Sequence, residues 1–174
     1  RWRRFGAKPR FVNRSALERR TASLTKRRTQ YALGRNVSHS TDQIEALIKQ
    51  AIRLAQSSFN SQSSRAVILF GAASEQFWQL TADALRAIVP AEAFAATEAK
   101  LNSFAAGVGT VLFYEDQDTV KGLQEKFALY ADNFPVWSEH TSAMHQLAVW
   151  TMLEDAGFGA SLQHYNPLID NEVR

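Results

Sequence analysis

The chain has no cysteine. Disulfides, thiolate metal sites and cysteine nucleophiles are therefore excluded. The absence fits a reducing, cytoplasmic compartment. Long apolar runs are also missing, so no span of a bilayer and no membrane partner is expected. There is no G-x-S-x-G elbow, no Walker loop and no G-x-G-x-x-G. Gly107-Val108-Gly109 precedes an apolar run, the wrong order for a Rossmann turn. The four histidines (His39, His140, His145, His164) form no H-E-x-x-H, and no metal site is expected. His140 and His145 stand five apart, off a common helical face.

What remains is a chain of 174 residues with a 45% hydrophobic fraction, enough for one domain with a proper core. Its formal charge of +3 is unevenly placed. Residues 1–20 hold eight basic residues and one acid, which leaves 12 basic and 16 acidic residues, a net −4, in the body. A nucleic-acid binder carries its basic face on the folded domain. No nucleic-acid partner is expected here. Residues 1–22 read as a basic leader: a disordered arm, a non-native extension, a targeting segment or, last in order, a nucleic-acid contact. Residues 23–174 read as the folded domain.

The apolar periodicity predicts helices and few strands. Ser23 caps a short helix through Arg28. Ser40 and Gln43 form a capping box for a helix through Ala55. Ala66 to Phe70 and Gly109 to Tyr114 are buried strands. Ser74 to Val89 is helical, and Pro90 opens a helix from Ala91 to Phe104. Asp116 caps a helix to about Phe127, and a long helix runs from about Phe134 to Ala156. That last helix is apolar on several faces, which places it centrally or between two subunits. Ala160 to His164 reads as a third strand, and Pro167 as the start of another helix. Three strands make a thin sheet, and a further strand is expected beyond Arg174. Buried strands separated by helices argue for an α/β or α+β layer fold.

Three clusters carry chemistry. Arg27, Arg28 and Thr29 offer two guanidinium groups beside a hydroxyl, a phosphate-holding set. The alternative is a solvated basic helix end. Ser57-Ser58-Phe59-Asn60-Ser61-Gln62-Ser63-Ser64-Arg65 offers more hydrogen-bonding capacity than a turn needs. Its alternative is a loop that satisfies its own backbone. Gln163, His164 and Tyr165 arrive at the end of the expected third strand, where α/β proteins place ligand contacts. Their alternative is a packed surface strand. Tyr130, Phe134 and Trp137 add an aromatic wall for a pocket or a partner.

Together and in this order, Arg27 to Gly34, Ser57 to Arg65, Tyr130 to Ser138 and Gly159 to Pro167 resemble the nitroreductase superfamily. The similarity is to the small FMN-dependent branch of fungal fatty-acid-repression-mutant-like proteins and bacterial relatives. The resemblance implies an α+β, three-layer fold with a central sheet flanked by helices, a homodimer, and FMN bound at the interface. It implies NADH or NADPH as donor and ping-pong, two-electron reduction of a quinone, nitroaromatic or similar small-molecule acceptor. On that analogy Arg27 and Thr29, with Arg28 beside them, hold the FMN phosphate. Asn60 and Gln62 meet the ring system or ribityl chain, with Ser58 in support, and Gln163, His164 and Tyr165 lie along the flavin. The cofactor carries the chemistry, so no catalytic side chain is expected. The family also uses a basic residue in a late strand, beyond Arg174, and many relatives carry Lys near the position of Tyr31. Two alternatives stand beside this reading. One is a flavin-binding regulatory or stress-response protein in lipid signalling with little turnover. The other is a helical interaction module without a cofactor.

Overall fold

A computed structural model describes residues 21–171 and 173. The basic leader, apart from its last two residues, lies outside the described residues. Residues 21–26 are helical (α1). The order then runs α2 (Thr41–Leu54), β1 (Ser64–Phe70), α3 (Ala72–Arg86), α4 (Ala91–Ala105), β2 (Gly109–Glu115), α5 (Gln117–Lys126) and α6 (Phe134–Asp155). Short 3-10 turns at Ser58–Asn60 and Ala128–Asn133 precede β1 and α6.

Local chemistry explains most boundaries. The capping box of α2 is formed: Gln43 N donates to Ser40 Oγ at 3.3 Å, and Ser40 N to Gln43 Oε1 at 2.9 Å. Asp116 caps α5 by accepting from Asp118 N and Thr119 N. Gly71, at φ 52°, turns the chain from β1 straight into α3, which starts two residues earlier than expected. Ser23 does not cap α1. It lies inside the helix, where its carbonyl accepts from Arg27 N.

β1 and β2 pair antiparallel from Ser64↔Glu115 to Phe70↔Gly109. The ribbon is apolar on both faces. Leu69 and Leu112 pack against the cluster of α3 and α4, built on Phe77, Trp78, Leu85, Leu101 and Phe104. Ile68, Phe70, Val111 and Phe113 pack against the cluster of α2 and α6, built on Ile44, Ile48, Ala51 and Val149. Helices thus cover both faces, giving the three layers expected. Each fully buried aliphatic side chain, such as Ile48 or Leu101, contributes roughly 1.5–3 kcal/mol. Thr110 shares the α3 face and bonds Ser74 Oγ at 2.7 Å and Trp78 Nε1 at 2.9 Å. A Cβ on Gly109 would lie 2.6 Å from the Leu69 carbonyl oxygen, so the close pairing there requires glycine.

α6 is the central helix. It touches α2, α5, both strands and both 3-10 turns. Its buried face is largely polar: Ser138, Thr141, Ser142 and His145. These groups are satisfied within the helix, for example Thr141 Oγ1 on Trp137 O and His145 Nδ1 with Thr141 O. Small, satisfied side chains let neighbouring segments approach closely.

Two further expectations fail. Ala160 to His164 is not a strand of the sheet. It makes a single parallel bridge, Thr29↔Ala160, because no ladder partner runs beside it among the described residues. Pro167 does not open a helix. Residues 166–171 form turns, with Leu168 N on Tyr165 O and Asp170 N on Pro167 O. Asn166 Nδ2 donates to Asp170 Oδ1 at 2.8 Å and ties the turn to itself.

Candidate functional site

The loop between α2 and β1 has the least ordinary backbone among the described residues. Phe59, Asn60 and Gln62 have φ of 55°, 52° and 50°. Asn tolerates this left-handed region, whereas Phe and Gln do not. Each such residue costs of order 1 kcal/mol, and it persists only where its surroundings enforce it. Here they do. Asn60 N donates to Ser57 O and Ser61 N to Ser58 O, both at 3.0 Å. Gln62 N donates to Ser57 Oγ at 3.1 Å. Ser58 N reaches Thr141 Oγ1 on α6 at 3.5 Å.

The base of the loop is clamped to the end of β2. Ser63 is fully buried, and its Oγ donates to Glu115 Oε2 at 2.5 Å. Ser64 Oγ donates to the other Glu115 oxygen. Arg65 bridges Gln62 O and Asp116 Oδ2, both at 2.7 Å. Hydrogen bonds from Thr119, then from Asp118, together with the Arg65 guanidinium, hold the Asp116 carboxyl below its ordinary value. A cavity of about 10 Å³, close to one water in size, lies under the loop among Ser58, Ser61, Ser63 and Ser138.

At the tip, Asn60 and Gln62 are exposed. Gln62 Nε2 donates to Asn60 Oδ1 at 3.1 Å, which fixes the two amides relative to each other. The Asn60 amide N–H₂ and the Gln62 carbonyl oxygen keep open valences among the described residues.

The basic cluster sits elsewhere along α6. The Arg27 guanidinium lies over the Trp150 ring, 4.3 Å from its centroid. Arg28 Nη1 donates to Arg27 O at 2.8 Å. Among the described residues no carboxylate pairs with Arg27 or Arg28. Thr29 bridges to Ala160, and Gln30 N donates to Ala160 O at 3.0 Å. That single contact brings the basic cluster beside the segment holding Gln163, His164 and Tyr165. Gln163 is half-buried, His164 exposed, and Tyr165 packs edge-on against Trp78 at 5.9 Å. Burial pushes the Tyr165 phenol above its ordinary value.

The nine expected residues therefore fall into two groups. Arg27 to Thr29 lie beside Ala160, three to five residues before Gln163 to Tyr165 in the chain. Ser58, Asn60 and Gln62 stand near the start of α6, whereas Arg27 stands over its later half. Trp137 and Trp150, which mark the two places, are separated by about 20 Å of helix rise. The hollow of about 320 Å³ between residues 36–39 and 156–158 contains none of the nine. Sequence reading passed over Glu115, Thr141 and Trp150. Glu115 was discoverable as an acid closing an apolar strand, but its serine partners follow only from strand register.

An α+β domain whose thin antiparallel ribbon is covered by helices on both faces, with a polar loop entering one strand, defines the structural class. Comparison with known proteins gives the family. Residues 24–174 match the profile of the Nitroreductase family, and the chain belongs to that family. The Saccharomyces cerevisiae protein HBN1 is 34% identical over 157 residues, covering 89% of this chain and 78% of its own. The nitroreductase FRM2 of the same yeast is 32% identical over 153 residues, covering 87% and 76%. The solved structure of the nitroreductase CinD from Lactococcus lactis, in complex with chloramphenicol, is 51% identical with a TM-score of 0.79, covering 87% of this chain and 77% of that one. The resemblance read from the four motifs is thereby shown, and the chain is assigned to an oxidoreductase family.

Proposed function

We propose that residues 23–174 form an FMN-dependent NAD(P)H oxidoreductase that reduces quinones or nitroaromatic compounds by a two-electron, ping-pong route. The observation that carries this reading is the pair of left-handed amides, Asn60 and Gln62, fixed to each other and open on their outer side. A planar heterocycle with alternating donors and acceptors matches such a pair better than bulk water does. CinD has been solved with 4-nitrophenol and with nicotinic acid, ligands of the acceptor and nicotinamide kinds.

The two groups of donors, about 20 Å apart along α6 in one copy, are of the chemical kinds the cofactor needs. Arg27, Arg28 and Thr29 supply two guanidinium groups, paired with no carboxylate among the described residues, and a hydroxyl for a phosphate. Asn60 and Gln62, with Ser58 behind them, would orient the ring system or ribityl chain. Gln163, His164 and Tyr165 would border it, since Ala160 ties their segment to Thr29. Bound FMN would supply the hydride chemistry, and the chain would bind, orient and exclude water. No helix among the described residues is long and apolar enough to cross a membrane. A cytoplasmic setting is part of the proposal.

A homodimer completes the reading. α6 exposes Val136 and Leu147 although it is the central helix, and Leu54 of α2 is 72% exposed. A second copy would cover such surfaces. The test is direct. Purified full-length protein should be yellow, and its flavin absorbance should bleach under NADH or NADPH. Arg27→Ala and Asn60→Ala, made separately, should each weaken FMN binding about tenfold or more. Colourless protein that takes up no added FMN, or initial-rate lines that intersect rather than run parallel, would overturn the proposal.

A further inference from the structure

Phe59 makes little sense as a core residue. It is 49% exposed, and its φ of 55° is one that a bulky aromatic side chain avoids. A ring placed only to bury area would sit deeper, on an unstrained backbone. Yet it touches more aromatic rings than any other described residue. Phe127 and Phe134 lie 5.2 Å away between centroids, Tyr130 5.8 Å, and Trp137 is stacked at 5.5 Å with an interplanar angle of 17°. All four partners come from residues 127–137, the entry to α6.

We propose that Phe59 is a positioning residue: its ring, seated among Phe127, Tyr130, Phe134 and Trp137, holds the loop in the left-handed conformation that turns the Asn60 and Gln62 amides outward. The inference rests on the reading of those amides as flavin contacts and adds a residue that acts on the flavin only through them. Two independent anchors then define the loop. The Ser63–Ser64–Glu115 clamp fixes its base, and the Phe59 ring fixes its tip. Without the ring, the tip has hydrogen bonds within the loop and the long 3.5 Å bond from Ser58 N to Thr141 Oγ1 to oppose the strain of three left-handed residues. It would relax, and the amides would lose their mutual orientation.

Glycine separates the ring from the backbone, because it adopts φ near 55° without strain. Phe59→Gly and Phe59→Tyr are compared in the full-length protein. The readouts are FMN dissociation constant, visible circular dichroism of bound flavin, and melting temperature of the flavin-free protein. Phe59→Gly should weaken FMN about ten- to hundredfold and alter the flavin dichroism, while melting close to the parent. Phe59→Tyr keeps the ring and should bind within about threefold of the parent. If Phe59→Gly binds as tightly as the parent while Asn60→Ala does not, the positioning role is wrong and the amide reading stands. If both Phe59 variants lose flavin only in step with early melting, the ring serves packing alone and the proposal fails. A parent that binds no FMN overturns both readings together.

Discussion

The two segments read as flavin contacts are built in opposite ways. Residues 57–65 are braced on every side: a buried serine on Glu115, an arginine across to Asp116, a turn closed by Ser57, and an aromatic ring among four others. Residues 159–165 are held by one bridge to Thr29, one backbone bond to Gln30, and the packing of Tyr165. From Ser161 to His164 no side-chain hydrogen bond occurs among the described residues. The first segment has its geometry before any ligand arrives, so less ordering entropy is lost on binding. The second is an extended strip whose backbone groups can adjust to whatever lies against it. On the proposed reading, discrimination between ligands would belong to the braced loop, and accommodation to the strip.

The contrast is broken most strongly through the ribbon that carries the loop. Gly109→Ala sets a Cβ 2.6 Å from Leu69 O and 2.8 Å from Phe70 Cδ1, and backbone cannot swing aside. The expected cost is about 3 kcal/mol, read as a fall in the denaturant midpoint, with FMN binding lost as well. Next comes Glu115→Ala. It leaves the buried Ser63 hydroxyl with only the weak 3.4 Å contact to Ser61 Oγ and frees Ser64, for a loss of about 2 kcal/mol in chemical denaturation. A Glu115→Ala protein with parental stability and flavin affinity would mean that the clamp braces nothing.

The helices and strands were legible because their ends are marked by specific chemistry. Ser40 with Gln43, Asp116 and Pro90 each announce a helix start, and all-apolar runs announce buried strands. The strip from Ala160 was misread as a strand because alternation alone does not reveal whether a ladder partner exists. The turn after Pro167 was misread because a proline that can open a helix can equally sit in a turn. The hydrogen-bonding capacity of the 57–65 loop was visible in composition. Its left-handed backbone was not, since Phe and Gln are residues that composition argues against there. Nor was Glu115 visible as a partner of Ser63, because 51- and 52-residue separations meet only through β1–β2 register. The aromatic wall of Tyr130, Phe134 and Trp137 was seen, but Phe59 as the ring that fills it was not.

A smaller effect sharpens the comparison through pH. Asp116 is held below its ordinary value of 3.8, so its contribution to stability is present above that pH and lost as pH falls through the lower folded value. Asp116→Asn keeps the helix cap but removes the charge facing Arg65. Near neutral pH it should differ little from the parent, because the carboxylate is solvated. Below pH 3.8 the parent should lose stability more steeply than the variant, measured by urea unfolding at stepped pH. Equal slopes would remove Asp116 from the bracing of the loop.

The smallest effect expected is at the strip. A Cβ on Gly159 would meet the Cβ and Cγ of Gln30, both at 3.0 Å, and Leu33 Cδ2 at 3.9 Å; the exposed Gln30 Cγ can swing aside, and the Cβ needs a shift of a few tenths of an ångström between two lightly tied segments. Gly159 does not need a left-handed φ, so alanine fits its backbone. Gly159→Ala should therefore change stability by less than about 0.5 kcal/mol and leave FMN affinity within about twofold. The near-zero result is informative because the same substitution at Gly109 is predicted to be severe. A large loss at Gly159 would show that the strip is tightly registered against Thr29 and Gln30. Rigidity would then be shared by both segments, and the division between a discriminating loop and an accommodating strip would fail.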